Sequence, residues 1–465
     1  MTNDPHPPFP PVRPRRAVDT GPWPAPIATE PVHAAVRVPG SKSETNRALV
    51  LAALADGPSR ITGGLDARDT RLMRTGLRQL GVSIEEDRGS WVITPPADLG
   101  SAPATIHCGL AGTVMRFLPP LAALGTSPVH FTGDPQAEAR PMGPVLDALY
   151  DMGAEVTPGT ATLPFTIGGQ GQLPGGPIRL DSSASSQFLS GLLLTGARCA
   201  RGLDIEDIGP NLPSRLHIDM TVAMLRERGV RIDDTQPGRW RVEAGPIAAR
   251  DVVIAPDMSN AAPFLAAAAI TGGQVSVLDW PVHTNQPGDR IRHILEQFGA
   301  TAILTEDALT VRGTGVLHGV DLDLSDVAEL TPVIAALAAV SREASHLRGI
   351  GHIRGHETDR LAALEAELNG LGSHVKQTDD GLTIHPRVLH GGEWRTYADH
   401  RMAHAGALLG LLVDAITLDD IGCTSKTMPE FSLLWTQMLA DSDEWSDRTI
   451  AAERAADAAR QDGAG

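Results

Sequence analysis

One phrase returns six times along this chain, and it limits what the chain can fold into. From Val38, Ile106, Leu180, Ile254, Leu322 and Thr396, a short apolar stretch runs through a turn rich in Gly, Asp or Ser into a run of small apolar residues. The first copy reads VPGSKSETNRALVLAALADG and the fourth IAPDMSNAAPFLAAAAITGG. Successive copies start 68, 74, 74, 68 and 74 residues apart. A second phrase keeps step, a helical stretch followed by glycine and an apolar pair, at Gly81, Gly153, Gly229, Gly299 and Gly372. A fixed period of this length marks one repeated supersecondary unit. The order strand, helix, strands, helix within each period is α/β. Each start also predicts a helix N-terminus, whose free N–H groups and partial positive charge favour anions. In the first copy Ser43 or Thr45 is the expected cap, with Lys42 and Arg47 beside it.

A length of 465 residues exceeds one ordinary core and predicts two domains. Aromatic residues make up only 4%, so small side chains must dominate the packing. The three cysteines, Cys108, Cys199 and Cys423, stand far apart with no CxxC pair, which indicates neither disulfides nor a zinc cage. A net charge of −17 argues against a nucleic-acid partner. Residues 1–27 are Pro-rich, contain Arg13, Arg15 and Arg16, and lack an apolar segment. They read as a disordered arm, neither a signal peptide nor a span. Residues 443–465 read as a flexible tail. With no apolar run of bilayer length, the expected location is the cytoplasm.

The cations carry information. There are 36 arginines and three lysines, and two of those lysines sit in small-residue loops, Lys42 in GSKSE and Lys426 in CTSKT. Lysine differs from arginine as a compact donor whose pKa can be lowered until it transfers protons. Both lysines are therefore expected to be needed as lysines. Four further clusters stand out: GLAGTVMR from Gly109, SSASSQ from Ser182, HIRGHETDR from His352 and YADHRMAH from Tyr397. Four serines at one helix start exceed what capping requires and suit a phosphate. His352 and His356 lie four apart but without the HExxH order, so metal is not the favoured reading. His400 and His404 are expected to be packed core residues.

These residues together resemble the 5-enolpyruvylshikimate-3-phosphate synthase family. The matching phrases are GSKSETNRA, AGTVMRF, RPMGP, SSASSQFLSGLL, DVAELTP, GHETDRL, DHRMA and CTSKTMPEF, in family order from Gly40 to Phe431. The resemblance implies a two-domain inside-out α/β barrel-like fold of six βαβαββ units, three per domain. One domain would comprise residues 28–39 and 255–442, the other 40–254, with crossovers near Pro39 and Ala255. The implied reaction moves the enolpyruvyl group of phosphoenolpyruvate onto the 5-hydroxyl of shikimate 3-phosphate and releases phosphate, with no metal or organic cofactor. The implied protein is a monomer of the shikimate pathway, a step in aromatic amino acid biosynthesis and a glyphosate target.

By the same resemblance Lys42, Ser43, Arg47, Ser185, Ser186, Gln187, Ser214, Asp326, His352 and His356 hold shikimate 3-phosphate. Lys42, Gly112, Arg140, Gln187, Arg360, Arg401 and Lys426 hold phosphoenolpyruvate. Asp326 is the implied base at the hydroxyl, at the start of a helix that it would also cap, and Glu357 and Lys42 serve the methylene carbon. An acidic residue beside anionic substrates would weaken binding unless it did chemistry. The chain departs from the family pattern at four positions. Leu110 stands for an asparagine and Phe117 for a proline. His352 stands for an asparagine and His356 for a lysine, and a histidine there predicts a charge that changes near neutral pH. Two other readings compete. The sister enolpyruvyl transferase acting on UDP-N-acetylglucosamine carries a reactive loop cysteine, and Thr126–Pro141 holds none. A non-catalytic anion-binding repeat protein would have no use for Asp326 and Glu357 among its arginines.

Overall fold

The computed structural model describes residues 20–159 and 161–442. The expected tail at 443–465 and most of the expected arm lie outside them. Each repeat start becomes a buried helix: α1 (Lys42–Ala53), α2 (Gly112–Ala122), α3 (Ser186–Gly196), α4 (Met258–Thr271), α5 (Thr331–Ala339) and α6 (His400–Gly410). Alanine, glycine and short aliphatics fill them because each is covered almost all round, as Ala261–Ile270 of α4 shows. Packing is close enough that a Cβ on Gly191 of α3 would come within 2.3 Å of the Arg116 carbonyl oxygen on α2.

The five glycines of the second phrase end the second helix of their units. All are left-handed, with φ between 79° and 102°. The residue after each glycine bonds back into the helix, as Val82 N–H does to Leu77 O at 3.1 Å and Ala154 N–H to Leu149 O at 2.9 Å. That is the left-handed helix cap, which glycine adopts without a Cβ penalty.

Strands form six small sheets outside the helices. Five are four-stranded and share one plan: a parallel pair joined to an antiparallel hairpin, as in 104–107, 129–132, 165–168 and 155–157. In units one and four the leading strands are exchanged. His33–Val36 pairs in parallel with Gln274–Leu278, and Val252–Val253 pairs with Ser59–Thr62. The side chains accordingly form two cores. One holds Val32, Val36 and Val38 with residues from Met258 to Met438, the other residues from Ala48 to Ile254. The chain crosses between them twice, and the crossings are laced together: Ser41 N–H donates to Ala255 O at 2.8 Å and Asp257 N–H to Pro39 O at 2.8 Å.

The sixth sheet has three strands, and its third is Trp23–Pro24, antiparallel to Ile416–Leu418. The expected disordered arm is thus ordered from residue 20. Ala25 N–H and Ala28 N–H continue the attachment at Ile416 O and Leu411 O. A two-residue strand containing proline carries no alternating pattern. It holds its place because the sixth unit has no hairpin of its own in the described residues. None of the described helices is long and apolar enough to cross a membrane.

Candidate active site

All six helix starts meet at one cleft between the two cores. Lys42 opens α1, Thr113 and Arg116 lie in the first turns of α2, and Ser186 and Gln187 open α3. Ser259 of α4, Glu329 just before α5, and His400 and Arg401 of α6 face them. The starts are capped by Ser41, Ser185, Asp257 and Asp399, each accepting a backbone N–H from its own first turn. The α1 cap is therefore Ser41, earlier than the expected Ser43 or Thr45, since the helix begins at Lys42. Converging N-termini give the cleft a positive field before any side chain is counted.

Side chains add to that field. Lys42, Arg47, Arg116, Arg140, Arg360 and Arg401 line the cleft, against the carboxylates of Asp257, Glu329 and Glu357. Arg47 is held by Thr221 Oγ1 at 2.7 Å, by the Ser43 and His217 carbonyls, and over the Phe117 ring, 5.3 Å from its centroid. Burial pulls its pKa down to about 10, so it stays charged at neutral pH. Arg140 Nη1 donates to the Leu110 backbone carbonyl at 3.1 Å, a contact open to any side chain at 110. A Cβ on Gly112 would lie 2.7 Å from Gln187 Oε1 and 3.2 Å from the guanidinium nitrogens of Arg116 and Arg140. Only glycine leaves that corner open for a ligand.

Lys42 Nζ lies 3.3 Å from Asp69 Oδ2, and its backbone N–H donates to Asp257 Oδ2 at 3.0 Å. Glu357 accepts from Lys426 Nζ at 2.7 Å and from Arg360 Nη2 at 3.1 Å. Burial opposes its ionisation, but Lys426, then Arg360 and Arg140, outweigh that and hold it well below the usual carboxylate range. Arg360 also donates from Nη1 to His356 Nδ1 at 3.3 Å. A guanidinium has no acceptor, so His356 Nδ1 carries the lone pair and its proton sits on Nε2. Burial first, and then Arg360, push the pKa of His356 well below 6.5; burial lowers that of His352 too. The charge change expected near neutrality is thereby moved out of that range.

Of the expected residues, Lys42, Ser43, Arg47, Arg140, Ser185, Ser186, Gln187, Ser214, His352, His356, Glu357, Arg360 and Arg401 line the cleft. Gly112 and Lys426 stand behind its wall against residues that do. Asp326 is not among the lining residues; Glu329, three residues on, is. Asp326 is also not a cap. The helix begins at Thr331, after a 3-10 turn at Ala328–Leu330. His400 and His404 are both buried, as expected; His400 also reaches the cleft wall, and the His404 ring stacks 4.5 Å from Phe431. Sequence reasoning passed over Arg116, His217, Ser259 and Gln286. Arg116 stood in plain view in AGTVMR, and His217 lies one turn after Ser214. No described group of three or more His, Cys, Asp or Glu residues could hold a metal ion.

An inside-out fold with a cationic cleft at its helix starts and carboxylates inside it defines a transferase of anionic substrates. The enolpyruvyl transferase NikO from Streptomyces tendae has this fold at 18% identity and a TM-score of 0.70, over 90% of this chain and 98% of that one. EPSP synthase from Acinetobacter baumannii matches at 25% identity and a TM-score of 0.73, over 90% and 98%. The family model for EPSP synthase (3-phosphoshikimate 1-carboxyvinyltransferase) matches residues 27–434, and the chain belongs to that family. It transfers the enolpyruvyl group of phosphoenolpyruvate to shikimate 3-phosphate, in the shikimate pathway to aromatic amino acids.

Proposed function

We propose that Glu329 is the base at the acceptor hydroxyl in this transfer, the role the family pattern gave to Asp326. The observation that carries the reading is position: Glu329 lines the cleft, 3.3 Å from Ser259 Oγ, whereas Asp326 is not among the lining residues, although its neighbour Ser325 reaches the lining Ser214. Shikimate 3-phosphate lies among Ser43, Arg47, Ser185, Ser186, Ser214, His352 and His356, and phosphoenolpyruvate among Arg140, Arg360, Arg401 and Lys426, with Gln187 between them. In the addition the 5-hydroxyl oxygen bonds to C2 of phosphoenolpyruvate and its proton passes to Glu329. The Lys42 ammonium gives a proton to the methylene carbon. In the elimination the new methyl group returns a proton to Glu357, which its cations hold ionised and ready, as the C2–O bond to phosphate breaks. Donors fixed in place beforehand stabilise charge without reorganising at the moment of reaction.

Residues 28–39 with 255–442, and residues 40–254, act as two domains that close on the substrates. The enzyme works as a monomer in the cytoplasm. The deciding experiment is a paired substitution. Glu329→Gln should lower kcat by about 10²–10⁴, the range of general acid–base effects, and Asp326→Asn by less than about tenfold. The reverse order would return the role to Asp326.

A further inference from the structure

The buried Asp399 serves no step above, yet it is wired to two of the three arginines of the phosphoenolpyruvate corner, Arg360 and Arg401. Its Oδ2 accepts from Arg360 Nε at 2.7 Å and its Oδ1 from Arg360 Nη2 at 3.1 Å, a two-pronged grip. The same Oδ1 accepts the backbone N–H of Arg401 at 2.9 Å and so fixes the first turn of α6. Arg401 Nη1 completes its own setting on the Ser259 carbonyl at 2.5 Å. The Asp399 side chain is 0% exposed and that of Arg360 3% exposed.

The turn that delivers Asp399 is strained. Tyr397 and Ala398 are consecutive non-glycine residues with φ of 55° and 54°. It is held on both sides: Tyr397 OH donates to Glu367 Oε1 at 2.6 Å, and Thr396 N–H and Oγ1 both bond Asp419 Oδ1 at 2.8 Å. Nothing in helix capping alone requires such a turn, since α1, α3 and α4 are capped with no left-handed residue in the two positions before the cap.

We propose that Asp399 is the positioning residue of the donor site, setting the angle of the Arg360 guanidinium and the start of α6 together so that both arginines meet phosphoenolpyruvate. The proposal rests on the reading that Arg360 and Arg401 hold that substrate. Asp399 also shares Arg360 with Glu357, and so limits how tightly that cation binds the carboxylate used in the elimination.

The test is Asp399→Asn in the full chain. Asparagine still accepts from Arg401 N–H, but its amide nitrogen faces a donor at Arg360 and breaks the two-pronged grip. KM for phosphoenolpyruvate should rise about tenfold or more, while KM for shikimate 3-phosphate stays within about twofold. An equal rise in both constants, or no rise, would overturn the proposal. Should Asp399→Asn fail to fold, Tyr397→Phe carries the test. It removes the bond to Glu367 and should raise the phosphoenolpyruvate constant alone; an unchanged constant would overturn the proposal. Arg360→Lys run in parallel separates the two claims. If it raises KM for phosphoenolpyruvate and Asp399→Asn does not, positioning fails and the site reading stands; if neither raises it, the site reading fails first.

Discussion

Lys42 opens α1, with Asp69 facing its ammonium and Asp257 taking its backbone N–H. A guanidinium at 42 would keep the charge but spread it over a larger, flat group that cannot act as a compact proton donor. Lys42→Arg should therefore lower turnover by at least about a hundredfold, measured as phosphate release. Turnover near normal would mean that only charge counts there. His356 leads to a second expectation at this scale. A ring kept neutral between pH 6 and 8 contributes a fixed Nε2–H donor and no switching charge. Calorimetric titration of shikimate 3-phosphate over that range should give the same slope for wild type and His356→Gln, the slope belonging to the phosphate's own ionisation. A steeper wild-type slope would show the ring titrating. Single residues were the least legible level of this sequence. Glu329 was passed over because the sequence reading started this helix at Asp326, whereas α5 starts at Thr331 after a 3-10 turn. That the buried His400 also reaches the cleft wall was hidden because helical spacing alone does not say which side of α6 borders the cleft.

At the level of elements, the repeated helix starts were fully legible, since small apolar runs after Gly/Ser turns have few other uses. The exchange of leading strands between units one and four came only through the family resemblance, because spacing cannot say which sheet a strand joins. The seam where that exchange occurs holds an unusual carboxyl. Glu44 Oε2 accepts the N–H of Ala255 at 3.2 Å, and burial, with Asp257 adding like charge, pushes its pKa up from 4.5 to about 7. A shift of that size is on the order of 3 kcal/mol. The folded protein holds this proton more tightly than the unfolded chain, so folding takes up a proton between about pH 4.5 and 7. Stability conferred by the neutral acid is then lost as pH rises through that window. Glu44→Gln, which keeps the acceptor, should raise the melting midpoint by several degrees at pH 8 and by little at pH 4.5. Equal shifts at both would place the cause elsewhere than ionisation.

For the whole molecule, a length beyond one ordinary core pointed to more than one, and the side chains form two. One contact between the two sides left no trace in the sequence: Ser214, at φ 52°, donates its N–H to Ser325 O at 2.9 Å, and a loop-to-loop bond of this kind follows no pattern. Cations and positive helix ends from both sides face each other here, so like charge opposes closure until an anion sits between them. Adding shikimate 3-phosphate should shrink the radius of gyration in small-angle scattering, and high salt alone should shrink it partway. An unchanged radius at saturating substrate would refute hinge closure, unless the free protein is as compact as the complex.

The exchanged leading strands bear on how the protein is made. A ribosome releases residues 40–254 as one uninterrupted stretch, so that core can be completed while synthesis continues. Val36 emerges before any of it, yet its partner strand begins only at Gln274. The strand at 33–36 thus waits as an unpartnered edge while the whole of residues 40–254 is made. Ser442 Oγ bonds both His33 N–H and Pro31 O, so the last described residue already lies against the segment that leads into the 33–36 strand. A permuted gene that starts at Gly40 and carries residues 20–39 after Ser442 would give each core its strands in order of synthesis, with the fold unchanged.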